Sequence, residues 1–492
     1  MDALSEDLPT QLKEIVGAER VSVDSASLEA YSKDHSFVLP RMPLAVVYPE
    51  TSDEVKALVK WANESRTPLV PVSSGPTHFR GDTIPNQGGV VVDLSRMKRI
   101  LNMDERNRAV RVEPGVTYGQ LVPELEKHGL RLPIPLLPRA SKSVLASVLE
   151  REPGTIPKYM WDTSDPLLTL EIVFGTGDTF RTGSASGIGE PGEGPRALIN
   201  PLGPSQVDLF RVIQGAQGTL GIVTWANLRT EVLPTVQKIF LIQSQTIEKL
   251  IEFTYRLLRV RLGDECLLLN NLNLASILAE TWPEEFNKMW AELPPWTLVF
   301  TLAGYRILPK ERVEYQEMDM TDIAEELGVK PLTAIPGFPR KETRMLEMLR
   351  KPWPEESHWK LRHKGGCQDL FFLTTLDRTS EFIQSIGALA ADREYPTGDI
   401  GCYIQPITQG RACHCEFNLH YDPSDAENVD ATQRFFIEAS ELLSGLGAFY
   451  SRPYGPWADI AYSVNPDAVI ALRKLKKIFD PNGVMNPGKL CF

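Results

Sequence analysis

No apolar run in this sequence approaches the roughly 18 residues that a membrane-spanning helix needs. The opening MDALSEDLPTQLKEIVG is acidic and amphipathic, without the charged-then-apolar order of a secretion signal. Cysteine is sparse and scattered: Cys266, Cys367, Cys402, Cys413, Cys415 and Cys491, with only Cys413-His414-Cys415 closely spaced. No CxxC pair exists to complete a zinc site. Free thiols in a reducing compartment are therefore expected, and with them a cytoplasmic protein. Positive charge is also in deficit. A net charge of −12 offers no basic face to nucleic acid or to an anionic membrane. Internal repeats and low-complexity tracts are missing too.

What remains is ordinary globular composition, 42% hydrophobic and 24% charged over 492 residues, enough for roughly two to four domains. The first 235 residues alternate helix and strand signals. Thr51-Ser52-Asp53-Glu54 is a capping box, after which Val55, Leu58, Val59 and Ala62 share one helical face. TPLVPV, GGVVVDLS and RAVRVEPG read as short strands, the last with Val110 and Val112 alternating against arginines. Thr117 caps a helix predicted to end near His128-Gly129. Between residues 236 and 447 longer helical stretches such as IEKLIEFTYRLLRV separate strands such as WTLVFTLAGY, as in a second domain whose sheet is covered by helices. Residues 448–492 return to tight turns and are expected to fold back on the first domain. The fold class is α+β.

Four stretches carry possible chemistry. PVSSGPTHFRGD (71–82) is either a surface turn or a loop whose backbone amides hold a phosphate. QGAQGTLGIVT (214–224) spaces Gly215, Gly218 and Gly221 before a β-branched run, which permits close backbone approach or marks a bulge. In RACHCEFNLHY, strand alternation puts His414, Glu416, Asn418 and His420 on one face and Cys413, Cys415, Phe417 and Leu419 on the other. The second face is a core face. The first is a solvent face, an active-site wall with a histidine base, or a metal site of His414, Glu416 and His420 that lacks a clear fourth ligand. IFDPNGVMNPGKL ends two turns in a cation, Lys489, available to an anion or to solvent. GTGDT (175–179) is a hairpin turn and not a dinucleotide fingerprint, because a strand and not a helix follows it.

Together with PLAVVYPETSDEVKALVKWAN, VEPGVTYGQL and SVLASVLERE, these pieces in this order resemble the vanillyl-alcohol oxidase/p-cresol methylhydroxylase superfamily of FAD enzymes. The resemblance spans nearly the whole chain. It implies an FAD domain of two α/β subdomains (1–235), a cap domain with a large antiparallel sheet covered by helices (236–447) and a returning C-terminal segment (448–492). The 71–82 loop would then be a pyrophosphate nest, with Val72, Ser73, Ser74 and Gly75, then Pro76, Thr77 and His78, as the contact stretch. Ser141, Ser143, Val144 and Ser147 would line the next part of the cofactor path. Ile222 and Val223 would approach its adenosine half, and Gly218, Gly221 and Lys489 would also serve the cofactor. Asp162 matches the aspartate near the reactive flavin nitrogen.

Departures from the family pattern shape the expected chemistry. Gln368 or Asp369 stands where relatives link FAD covalently through His or Tyr, and His78 does not fit the covalent-histidine loop, so dissociable FAD is expected. Arg80 replaces the loop tyrosine that binds a phenolic oxygen, and Tyr450 and Arg452 loosely echo a C-terminal Tyr-Arg pair. The expected reaction is hydride transfer to FAD from a para-hydroxylated aromatic alcohol or alkylphenol. His420 or His414 would be the base, oriented by Glu416, with Arg80 and Arg452 holding an anionic group. A 2-hydroxy acid is the alternative substrate; in that reading Cys413 displaces the first metal-binding histidine, and no metal is expected. A flavin-carrying relay subunit of a larger complex is a third possibility. The partners implied are a small anionic or phenolic substrate, an electron-acceptor protein and further copies of the chain.

Overall fold

The computed structural model describes residues 7–157, 166–186, 209–354 and 357–492. Its N-terminal part builds two sheets. In the four-stranded sheet, Leu69–Val72 and Ala45–Val47 flank Val90–Asp93 in parallel, while Val21–Ser22 adds an antiparallel edge. The Ser52–Ser65 helix packs on this sheet. Its start is set as the sequence predicts: Thr51 Oγ1 accepts the Glu54 N–H at 3.2 Å. The Glu54 carboxylate accepts the Glu50 N–H, one residue before the usual capping-box donor. Val55, Leu58, Val59 and Ala62 are fully buried.

The second sheet has five antiparallel strands, with Gly221–Arg229 at its centre between Ala109–Val112 and Leu167–Phe174. GTGDT is indeed the hairpin joining Leu167–Phe174 to Thr179–Arg181. In Ala109–Val112 both faces are buried, Arg111 included. Its guanidinium lies 4.9 Å from the Trp225 ring and donates from Nε to Asn227. Gly221 is required by close strand packing, since a Cβ there would be driven into the Val173 carbonyl of the neighbouring strand.

Residues 236–421 supply a seven-stranded, wholly antiparallel sheet. One face is covered by helices Ile247–Arg259, Pro309–Leu327, Thr379–Asp392 and Ala426–Gly445 over a core that includes Cys413, Cys415, Phe417 and Leu419. On the other face, helices Asn271–Leu278, Glu284–Glu292 and Lys341–Met348 pack on side chains such as Leu241, Leu267 and Leu269. At the end formed by Ile400–Ile407, Ala412–Tyr421 and Gly366–Thr374, part of this face instead looks onto the N-terminal sheets, and the large cavity lies in that gap.

The last residues tie back to the first sheet. Leu69 donates its N–H to Val484 O and accepts from Asn486 N. Lys489 Nζ donates to Gly81 O at 2.6 Å and to Asn86 Oδ1 at 2.7 Å. Among the described residues, no helix is long and apolar enough to cross a membrane. Replacing the N-cap, Thr51→Ala, is expected to cost about 1 kcal/mol, read as a lower urea midpoint at unchanged slope.

Candidate functional site

The large cavity holds about 240 Å³, against about 20 and 30 Å³ for two smaller ones. Three distant stretches meet in its wall: the 71–83 loop, residues 135–153, and the 213–223 segment. The sheet end above contributes Asp369, Tyr403, His414 and Glu416, and the C-terminal part Arg452 and Tyr454.

Strand register explains the roof. Across the antiparallel pairs, Asp369 stands opposite Asn418, and Tyr403 opposite Glu416, so these side chains share one face. All four polar side chains of that face are buried: His414 2%, Glu416 4%, Asn418 0% and His420 0% exposed. They are therefore not a solvent face. Glu416 accepts from Lys360 Nζ (2.5 Å), His414 Nε2 (3.0 Å) and Asn418 Nδ2 (2.7 Å). Burial opposes its charge, but Lys360 and His414 hold its pKa well below the ordinary carboxylate value. An ionised Glu416 can only accept, so His414 carries its proton on Nε2 and presents Nδ1 as an acceptor. Burial lowers the His414 pKa, Glu416 opposing, so the imidazole is neutral near pH 7.

Four cations and four carboxylates meet around this roof. Lys360 also reaches Asp369 (2.7 Å), Lys142 bridges Glu150 (3.3 Å) and Glu152 (2.7 Å), and Arg80 pairs with Glu152 (3.4 Å) and Asp369 (4.0 Å). Arg452 is the exception. Its NH2 lies 3.5 Å from His414 Nδ1, while its buried Nε and NH1 have no partner. Desolvation and the neighbouring Arg80 both disfavour its charge. Phe371 carries both guanidiniums, Arg452 at 4.1 Å and Arg80 at 4.6 Å from the ring centroid. Two guanidiniums thus share one ring, and Arg452 is the one without a carboxylate hydrogen bond.

The structure brings His414, Glu416, Arg80 and Arg452 together and separates other residues proposed with them. His420 is not in the cavity wall. Its ring meets His363 edge-on at 5.4 Å, its nitrogens lack a side-chain partner, and burial lowers its pKa to about 3. Tyr450 faces the core, its hydroxyl donating to Ser440 O while the ring stacks on Trp457. Asp162 lies outside the described residues. No cluster of three or more His, Cys, Asp or Glu able to hold a metal occurs among the described residues.

The cofactor stretch divides similarly. Val72, Ser73, Ser74 and His78 line the cavity, whereas Gly75 does not and Pro76 and Thr77 curve out to solvent. Among the described residues, the amides of Ser74, Gly75, Thr77 and His78 find no protein acceptor. Successive backbone amides without a protein acceptor can bind an anion. Gly218, Gly221, Ile222 and Val223 line the wall as well. Ser143 is instead an N-cap, accepting from Ala146 N, and Ser147 donates to Glu152. The cavity is lined there by Lys142, Leu145 and Ala146 and not by Ser141, Ser143, Val144 or Ser147. Lys489 serves the 81–86 turn, as described above, and burial lowers its pKa to about 8. Sequence reasoning missed Lys360, Lys142, Glu152 and Tyr454. Alternation alone puts Asn418 on the polar face, without a role in the site.

Two family profiles match the chain: one described as "FAD binding domain" over residues 43–183, and one as "FAD linked oxidases, C-terminal domain" over residues 233–490. A D-2-hydroxyglutarate dehydrogenase of Stutzerimonas stutzeri (strain A1501) is 25% identical, over 98% of this chain and 98% of the relative. In fold, the chain is similar to a 4-ethylphenol oxidase from Gulosibacter chungangensis in its isoeugenol complex (TM-score 0.84, 20% identity, 99% and 97% covered). It is also similar to p-cresol methylhydroxylase with substrate bound (TM-score 0.82, 20% identity, 100% and 98% covered).

Lys360→Met is expected to destabilise the protein by about 3–5 kcal/mol, because Glu416 and Asp369 lose their buried counter-charge. Urea unfolding checks this, and Lys360→Arg is expected to recover part of the loss.

Proposed function

The chain belongs to the FAD-linked oxidases, and within that family we propose that it oxidises a small substrate bearing an anionic oxygen. The observation that carries this reading is Arg452: a buried guanidinium with two unpartnered nitrogens, set beside a neutral histidine acceptor. The leading substrate class is a para-hydroxylated aromatic alcohol or alkylphenol, bound as its phenolate and oxidised at the carbon beside the hydroxyl or ring. FAD, when bound, accepts the hydride. Val72, Ser73, Ser74 and His78 would hold its pyrophosphate region, with Ile222 and Val223 along its other half.

The chain's own residues do the rest. Arg452 binds the anionic oxygen by charge-assisted hydrogen bonds. His414 takes, at Nδ1, the phenol proton as the phenolate forms on Arg452, or the hydroxyl proton of an alcohol. Glu416 fixes the Nε2–H tautomer and stabilises the imidazolium that results, and Lys360 keeps Glu416 ionised and in place. Arg80 is already neutralised by Glu152 and Asp369, so it shapes the site's field more than it binds the anion. Neither Gln368 nor Asp369 offers a histidyl or tyrosyl link, which supports dissociable FAD. A separate electron-acceptor protein and a homo-oligomeric assembly belong to the same proposal.

A 2-hydroxy acid is the second reading, favoured by the near full-length similarity to a relative named D-2-hydroxyglutarate dehydrogenase. Its carboxylate would match the planar fork of Arg452. Anaerobic bleaching of the flavin separates the readings: 4-hydroxybenzyl alcohol and 4-ethylphenol are expected to bleach it. Bleaching by D-2-hydroxy acids alone would transfer the assignment to the second class. Reduction only by a partner protein would leave a relay subunit.

Two further outcomes are expected. Acid precipitation should leave colourless protein and yellow supernatant; yellow protein would refute dissociable FAD. His414→Gln should slow flavin reduction by about 10²–10⁴-fold with FAD content unchanged. In the wild type, reduction should stay flat through neutral pH and fall only below about 6.5, since the buried base has a lowered pKa.

A further inference from the structure

A second cavity, about 30 Å³, adjoins the large one, and Phe79, Arg80, Asp369 and Tyr454 belong to the walls of both. Its other end is formed by the exposed Gly455 and Pro456 and by the half-buried 36–38 segment, so it runs between solvent and the large cavity. Its sides are aromatic: Phe37, Phe371, Phe436 and Trp457. The outer lip is narrow, since a Cβ added at Gly455 would come to 3.5 Å from Val38 Cγ2. Leu39, the next residue along the chain, is 84% exposed.

Arg80 lies across the inner end. It is tied by ion pairs of 3.4 and 4.0 Å, against 2.5 and 2.7 Å for the contacts of Lys360 to Glu416 and Asp369. Stacking on Phe371, and more distantly on Tyr454 at 5.6 Å, completes its hold. A space of this size admits no organic molecule unless a wall moves, and among the charged groups of that wall Arg80 has the longest ties.

We propose that this aromatic passage admits the substrate, with Val38 and Gly455 as its outer lip and Arg80 as its inner gate. The assignment rests on the proposed oxidation of an anionic substrate and adds a requirement: the anion must carry an apolar, ring-sized body. Four rings then accompany the body inward. Arg80, already paired with Glu152 and Asp369, swings aside at the narrow end, and Arg452, on the same Phe371 ring, receives the anionic head. Both guanidiniums stack on that one ring, Arg80 at 4.6 Å and Arg452 at 4.1 Å, so the gate and the receiving group adjoin.

The test uses the FAD-loaded full chain in stopped flow, following perturbation of the flavin absorbance by cinnamate and by neutral cinnamyl alcohol. Val38→Trp is expected to slow association of both at least tenfold at unchanged FAD content, and Val38→Ala to speed it several-fold. Pro456→Trp, at the exposed lip, should also slow association and keeps the test intact if Val38→Trp does not fold. Unchanged association in the plugged variants, or no binding of either probe by the wild type, overturns the port. Arg452→Met reports separately on the anion reading. Selective loss of cinnamate binding supports that reading, and equal binding of both probes rejects it while the port result stands.

Discussion

Glu416 is a carboxylate removed from water, and three donors keep it charged: Lys360, His414 and Asn418. Burying a charge is unfavourable unless it is paired and hydrogen-bonded, so these contacts are mutually obligatory. Lys360 is drawn in from its turn because Glu416 and Asp369 need it. His414 is held in one tautomer because Glu416 can only accept. Asn418 spans Glu416 and Asp369 and is itself held by Asn273. Gly401 permits that last reach, since a Cβ there would be driven into the Asn273 side chain. The chemistry of the roof follows from one ionised oxygen pair.

The cavity beneath depends on the same network. Glu152 couples Lys142, Ser147 and Arg80 on the N-terminal side, while Asp369 couples Arg80 and Lys360 on the sheet side. Arg80 is thus the loose link between two tighter clusters, and Arg452 is the cation whose Nε and NH1 have no hydrogen-bond partner. In a buried, partly aromatic surround an unpartnered guanidinium interacts more strongly with charge than it would in water.

Much of the fold was legible because its signals are local. The Thr51 cap, the Thr117–Gly129 helix limits, the 175–179 hairpin and the two faces of Ala412–Tyr421 follow from capping chemistry, positive φ at glycine and strand alternation. The site was legible in part. His414, Glu416, Arg80 and Arg452 stood out by residue type and family resemblance. His420 shared their face yet sits further along the strand against His363, and Tyr450 turned to the core. Alternation assigns a face but not how far along it a cavity extends.

By itself the sequence determined the secondary structure periods, the family and its flavin, and the strand that carries His414 and Glu416. Only tertiary structure decided which polar groups face each other. Lys360 and Glu416 are separated by 56 residues, and Arg80 and Asp369 by far more. No local pattern marks such partners, because the driving force is the removal of charge from water, which exists only once distant segments have closed over the site. The loop 71–82 shows the same division. Its residues left open a surface turn or an anion loop, and folding put Val72, Ser73, Ser74 and His78 in the cavity wall and sent Pro76 and Thr77 to solvent.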